Sequence, residues 1–441
     1  MILSEKYNFL PRFYRLAAIN ILSNLIIPLA GLISTAFLGH LQEIRSLAGV
    51  ALASILFNSV YFTLLFLRMA TTGVTAQAVG RDDREEMLLI GLRNGLIAFA
   101  IGVLIVIFQQ PLREIGFALL SATPEIKLSG VEYYNTRIWG APAVLVNFVL
   151  LGWLLGREKN TKVLILSIFG NAANIIFDYL FIIYLHWNSA GAGLSQAISQ
   201  YLMLAIALFF ASQQVQWQEI VKVFPKIFDL AALKEIFAFN MNLFLRTFIS
   251  IVTFTIFNDL SATLGTIIFV DNTLILQMGL VTVYFIDGMA YAIETLTGNF
   301  LGQGEREKFW PLMQVALGTS LPICLSFATI CELFPQTIFG FLTDRIELTE
   351  HINIYTPWLF CLLGLPGIAT LFEGYFLGLA RGDILRNAVL ISLAIGFTPM
   401  AIVGWYFQSN HLLWLAISLF LTTKTIALII PAIRSLRLEK T

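Results

Sequence analysis

Residues 161–185 read TKVLILSIFGNAANIIFDYLFIIYL. Coiled as a helix, a run of this length crosses the ~30 Å hydrocarbon core of a bilayer. It carries three polar side chains that a lipid-facing helix would not keep: Asn171, Asn174 and Asp178. Their spacings of three, four and seven put all three on one helical face. An ionisable group inside a span is costly and persists where it is paired or functional. The stretch therefore predicts a membrane helix with a polar face turned into a bundle.

Working outward, eleven further runs share this character. The spans are expected at about 12–38, 46–79, 85–108, 125–154, 161–185, 190–213, 233–257, 264–300, 308–334, 352–379, 386–406 and 412–433. Composition agrees: 58% of the 441 residues are hydrophobic and 12% charged, against about 25% charged in soluble domains. Lys+Arg and Asp+Glu are 27 each, so the net charge is zero and no nucleic-acid partner is expected. Cys324, Cys331 and Cys361 lack metal-ligand spacing and are expected as free thiols. His40, His186, His351 and His411 fall near span ends and far apart. No metal centre, cofactor or embedded-enzyme cluster is expected from them. The opening residues, MILSEKYNFLPRFYRLAAIN, lack the short apolar core and cleavage site of a signal peptide.

Lys and Arg set the orientation. With both termini cytoplasmic, the outer loops hold only Arg45, Arg113, Lys127 and Arg345, and most other loop cations fall inside. The longest inner connection is 214–232, QVQWQEIVKVFPKIFDLAA, amphipathic and interrupted by Pro225. It is expected to link an amino-terminal six-helix lobe, 1–213, to a carboxy-terminal one, 233–441.

The halves repeat. Ala76-Gln77-Ala78-Val79-Gly80, followed by Arg84-Glu85, matches Gly298-Asn299-Phe300-Leu301-Gly302, followed by Arg306-Glu307. Gly152-Trp153-Leu154-Leu155-Gly156 matches Gly374-Tyr375-Phe376-Leu377-Gly378. Both shifts are 222 residues (80 to 302, 152 to 374). Six spans per half insert in the same sense, which predicts two pseudo-symmetric bundles about an axis normal to the membrane. The fold class is thus all-α and polytopic. Paired glycines four apart are also what close helix packing asks for.

Residues 28–41, PLAGLISTAFLGHL, resemble the first helix of the multidrug and toxic compound extrusion (MATE) transporters. Leu67 to Ala78, LRMATTGVTAQA, resembles their second helix. Leu245-Arg246-Thr247 and Asp287-Gly288-Met289-Ala290-Tyr291-Ala292-Ile293-Glu294 resemble the DinF branch. The resemblance spans about 12–405. It implies efflux of small organic, often cationic or amphipathic compounds (xenobiotics among them), driven by inward flow of H+ or Na+. With no targeting extension read in the sequence, a bacterial inner membrane is the default expectation, and a monomeric carrier is expected. The family's first helix usually has Asp where this chain has Ser34, which puts the usual coupling scheme in doubt.

Asp178 is the leading candidate for coupling. A carboxylate with amides beside it can exchange a proton or, with their oxygens, ligate Na+. Asn-x-x-Asn-x-x-x-Asp at 171–178 also matches the family's pattern there. By resemblance, Tyr133, Asn147 and Gln196 complete a pocket around it, and Ser34 lies at similar depth in the first span. In the second half Asp287 and Glu294 share a face, and Glu373 precedes the Gly374–Gly378 pair. Asp287 and Glu373 are candidates for a second cation or substrate site, with ion pairing to Arg68, Arg137 or Arg246 the competing reading. Arg93 and Lys424 are expected to reach out to the interface. Pro28 shares the outer half of the first span with Ser34, where bending would gate the lobe. A lipid-linked-precursor flippase remains an alternative, and a membrane-embedded enzyme a weaker one.

Overall fold

Hydrocarbon offers no partner to a backbone N–H or C=O, so apolar runs of this length satisfy themselves as helices. The computed structural model describes residues 5–39, 44–340 and 352–438; His40, Arg345 and His351 lie outside them. Among the described residues twelve helices are long and apolar enough to cross a membrane. They are α1 (Leu10–Gly39), α2 (Arg45–Gly80), α3 (Arg84–Ile107), α4 (Pro124–Gly156), α5 (Asn160–Tyr184), α6 (Asn188–Ser212), α7 (Leu230–Thr263), α8 (Thr266–Gln303), α9 (Arg306–Leu333), α10 (Thr356–Gly378), α11 (Gly382–Tyr406) and α12 (Asn410–Leu436). Most bounds lie within a few residues of the expected ones. The largest departure is α7, which runs six residues further, to Thr263.

The chain divides into two compact units. One takes the chain up to Ile21 and from Ala238 onward; the other is Leu22–Phe237. α1 thus contributes its first turns to the unit holding α8–α12. There Arg12 donates to Asn299 Oδ1 at 2.8 Å and Asn20 to the Gly288 carbonyl at 3.4 Å. Gly288 is needed for this approach, since a Cβ on it would stand 2.7 Å from the Ile21 nitrogen.

The 222-residue repeat runs much deeper than the two matched segments. α4 is the most buried span of its half, and α10 of the other. A Cβ on Gly152 would stand 2.4 Å from the Arg68 carbonyl oxygen, and one on Gly156 2.5 Å from that of Thr72. A Cβ on Gly374 would stand 2.5 Å from the Ala290 carbonyl oxygen, and one on Gly378 2.6 Å from that of Glu294. Each contact in one unit is its counterpart in the other, moved 222 residues. Helix ends repeat as well. Left-handed residues follow α2, α4 and α5 at Asp82, Glu158 and His186, and α8, α10 and α11 at Gly304, Ala380 and Gln408. The N–H of Asp83 bonds the Ala78 carbonyl at 2.9 Å, and that of Glu305 the Phe300 carbonyl at 2.9 Å. This is the six-to-one closure that terminates helices around a left-handed residue.

The linker folds as a short helix, Trp217–Val223, and a 3-10 turn, Phe224–Lys226. A capping box between Gln216 and Glu219 starts it. Arg93 meets the linker backbone. It is buried, and its guanidinium donates to the carbonyls of Lys226 at 2.7 Å and Ile227 at 3.3 Å. The end of a 3-10 turn has spare acceptors, and Arg93 satisfies them.

Candidate coupling site

Asp178 ends the regular α-helical part of α5; from Tyr179 to Tyr184 the helix widens to a π-helical turn. Such turns recur at functional positions. The carboxylate is 1% exposed. Ser34 of α1 donates its hydroxyl to Oδ2 at 2.5 Å, and Ser195 of α6 donates to Oδ1. Asn174, one turn before, donates Nδ2 to Ser195 Oγ at 2.9 Å. Its Oδ1 accepts from Gln196 Nε2 at 3.0 Å and lies 3.3 Å from Ser34 Oγ. The ring therefore closes over three helices, all within Leu22–Phe237.

Two features decide its chemistry. Each serine has a second acceptor within reach: Asn174 Oδ1 for Ser34, and the Ala192 carbonyl at 3.2 Å for Ser195. The hydroxyl protons can therefore turn away if the carboxylate itself becomes a donor, with no movement of heavy atoms. Second, the two carboxylate oxygens, both hydroxyls and the Asn174 amide oxygen form a five-oxygen set. One negative charge and neutral oxygens suit a hard monovalent cation. Among the described residues no three His, Cys, Asp or Glu gather as a metal site.

The other sequence candidates in this half bond elsewhere. Asn171 donates to the Ser167 carbonyl at 2.8 Å, within its own helix. Asn147 donates to the carbonyl and side-chain oxygen of Gln200 at 3.0 and 3.1 Å. The Tyr133 hydroxyl accepts from Arg137 at 2.6 Å, and that guanidinium lies 4.5 Å over the Phe57 ring. The sequence does not single out Ser195: a serine in a span usually bonds its own helix, and nothing in its local sequence sets it apart.

In the other unit Glu373 is buried between Arg246 and Lys424. Its Oε2 accepts from Arg246, and Lys424 Nζ lies 2.6 Å from Oε1. Lys424 turns inward instead of reaching out to the headgroups. Asp287 is half-buried on α8, and Glu294 is fully buried beside Gly378.

The MatE family model matches residues 20–180 and 244–403, well over half of the chain, as two copies that follow the internal repeat. The chain belongs to the MatE family. DNA damage-inducible protein F of Escherichia coli is 29% identical over 415 residues, covering 94% of this chain and 90% of its own. A probable multidrug resistance protein NorM of Thermotoga maritima is 22% identical over 335 residues, 74% of this chain and 71% of its own. A MOP superfamily transporter from Pyrococcus furiosus superposes with a TM-score of 0.85 at 17% identity, over 97% of this chain and 96% of that one. At that identity the superposition speaks for the fold. This MatE protein is thus an integral membrane protein of a family of multidrug and toxic-compound efflux transporters, and its DinF-like character rests on the Escherichia coli relative.

Proposed function

We propose that this protein is a secondary active transporter that exports a small organic solute, cationic or amphipathic, in exchange for H+ or Na+. It works by alternating access in a bacterial inner membrane, as a monomer with both termini cytoplasmic. The carrying observation is the closed ring of Ser34, Asn174, Asp178, Ser195 and Gln196. A cation arriving at a buried carboxylate changes how that carboxylate bonds its three helices. Coupling needs this differential: a ligand shifts a conformational balance only by its difference in affinity for the two states. With Ser34 in the position of the family's usual Asp, one carboxylate carries the exchange and two hydroxyls supply what a second carboxylate would. The multidrug resistance name of the Thermotoga maritima relative supports the solute class.

The test is uptake of ethidium into everted vesicles under an imposed pH or Na+ gradient, with the parent and Asp178→Asn. Gradient-driven accumulation lost in Asp178→Asn, at equal protein level, supports the reading. Equal accumulation in both would remove coupling from Asp178. No accumulation with either gradient would favour the flippase alternative.

A further inference from the structure

The linker that joins the two halves of the sequence has two apolar faces, and among the described residues only one is covered by the protein. Val223 and Ile227 are 2% and 5% exposed and join the core formed by α2, α3, α4, α5 and α6. Polar bonds fasten the same side: Arg84 pairs with Glu219, Lys226 with Glu85, and Arg93 with the turn's carbonyls. On the other face Trp217, Val221, Phe224 and Phe228 are 74%, 56%, 57% and 61% exposed. Their spacings of four, three and four make one continuous helical stripe. Four large apolar side chains in a row on a connecting segment are costly in water and mark a contact surface.

Topology names the occupant. The segment leaves the membrane at Ser212, where α6 ends, and re-enters at Leu230, where α7 begins. Seventeen intervening positions, most of them folded as helix and turn and bolted to α3, cannot carry the stripe far from the bilayer surface. A short amphipathic helix with Trp and Phe on one face is the pattern that settles at the headgroup level. Lys222 flanks the stripe and is exposed, where its ammonium can meet lipid phosphate. We propose that Trp217, Val221, Phe224 and Phe228 form a membrane-surface anchor, seated among the phospholipids of the leaflet the linker lies on. The anchor holds the linker against α3 from outside while Arg93 holds it from within.

The experiment uses the full chain in phosphatidylcholine vesicles. Val221→Cys, with the native cysteines replaced by alanine, is labelled with an environment-sensitive fluorophore, and quenching by headgroup nitroxide lipid is read. Gln218→Cys, on the flank of the same helix, is the comparison. Quenching at 221 is expected to exceed that at 218 by about twofold or more, with blue-shifted emission. A second measurement needs no cysteine replacement: the parent's tryptophan emission should lose more intensity to lipids brominated near the headgroup than that of Trp217→Phe. Water-like emission at 221, with no difference between parent and Trp217→Phe, would overturn the anchor. Emission at 221 that is shielded from water yet untouched by lipid nitroxide would also overturn it, since protein would then be the cover.

Discussion

At Asp178 the two carboxylate oxygens are shared between serines of different helices, and this sharing makes each hydroxyl separately testable. Ser195 receives from Asn174 and gives to Asp178. Ser195→Ala therefore strands both groups in a buried place. A hydrogen bond to a charged group contributes about 1.5–3 kcal/mol, so gradient-driven uptake is expected to fall roughly tenfold or more. Ser195→Thr, which keeps the hydroxyl, should retain most activity; initial uptake rates at matched protein level measure both. The site was partly legible in the sequence. Asn174 and Asp178 were legible from their spacing on one helix, Gln196 from the family resemblance, and Ser34 from standing where the family usually has Asp. Tyr133 and Asn147 go elsewhere because closer partners, Arg137 and Gln200, claim their polar atoms. Ser195 was illegible because its role depends on how α6 is rotated against α5, which no local spacing encodes.

Elements are held by contacts the glycines permit. Gly152→Ala would drive a Cβ to 2.4 Å from the Arg68 carbonyl, a backbone atom with little freedom to yield. Overpacking of this kind costs about 1–3 kcal/mol, so a clear fall in the melting temperature of the detergent-solubilised protein is expected. Gly95→Ala in α3, with nothing within 4 Å of its Cβ, should instead be neutral or gain up to about 1 kcal/mol from helix propensity. The linker adds a pH test. The Arg84 guanidinium and the Gln216 N–H hold the Glu219 carboxyl below its ordinary range. A lowered carboxylate stabilises above its unfolded pKa and stops doing so as pH falls through the folded one. Hydrogen-exchange protection of 216–228 should therefore fall as the pH drops below the ordinary glutamate range, whereas Glu219→Gln should be less protected at neutral pH and show a smaller fall. The spans themselves were legible because hydropathy decides them. Their ends were less so: of the six left-handed terminators only Gly304 advertises itself, while Asp82, Glu158, His186, Ala380 and Gln408 are side-chain-bearing residues that the closing hydrogen bonds force into place.

Across the whole molecule, a duplicated scaffold carries polar chemistry that is not duplicated. Moving 222 residues on from Ser34, Asn174, Asp178 and Ser195 leads to Ile256, Gly396, Met400 and Ile417, with no carboxylate among them. Moving 222 back from Arg246, Glu373 and Lys424 leads to Asn24, Leu151 and Leu202. One half thus holds a lone carboxylate among neutral donors, suited to gaining and losing a cation. The other holds a carboxylate already flanked by two cations, which a further cation would have to displace. The sequence suggested Glu373 as a second cation site or an ion pair, and the bonds to Arg246 and Lys424 favour the structural role. The two acids should then fail differently when neutralised. Glu373→Gln removes a buried negative charge from between two half-buried cations, and breaking such a group costs about 3–5 kcal/mol. It should lower the melting temperature steeply, while any protein that still folds should remain gradient-responsive. Asp178→Asn keeps the shape of its ring, removes one charge, and should melt near the parent while losing the response to the gradient. Melting curves and vesicle uptake on the same preparations separate the two. Loss of coupling with unchanged stability in Glu373→Gln would return that residue to the transport pathway.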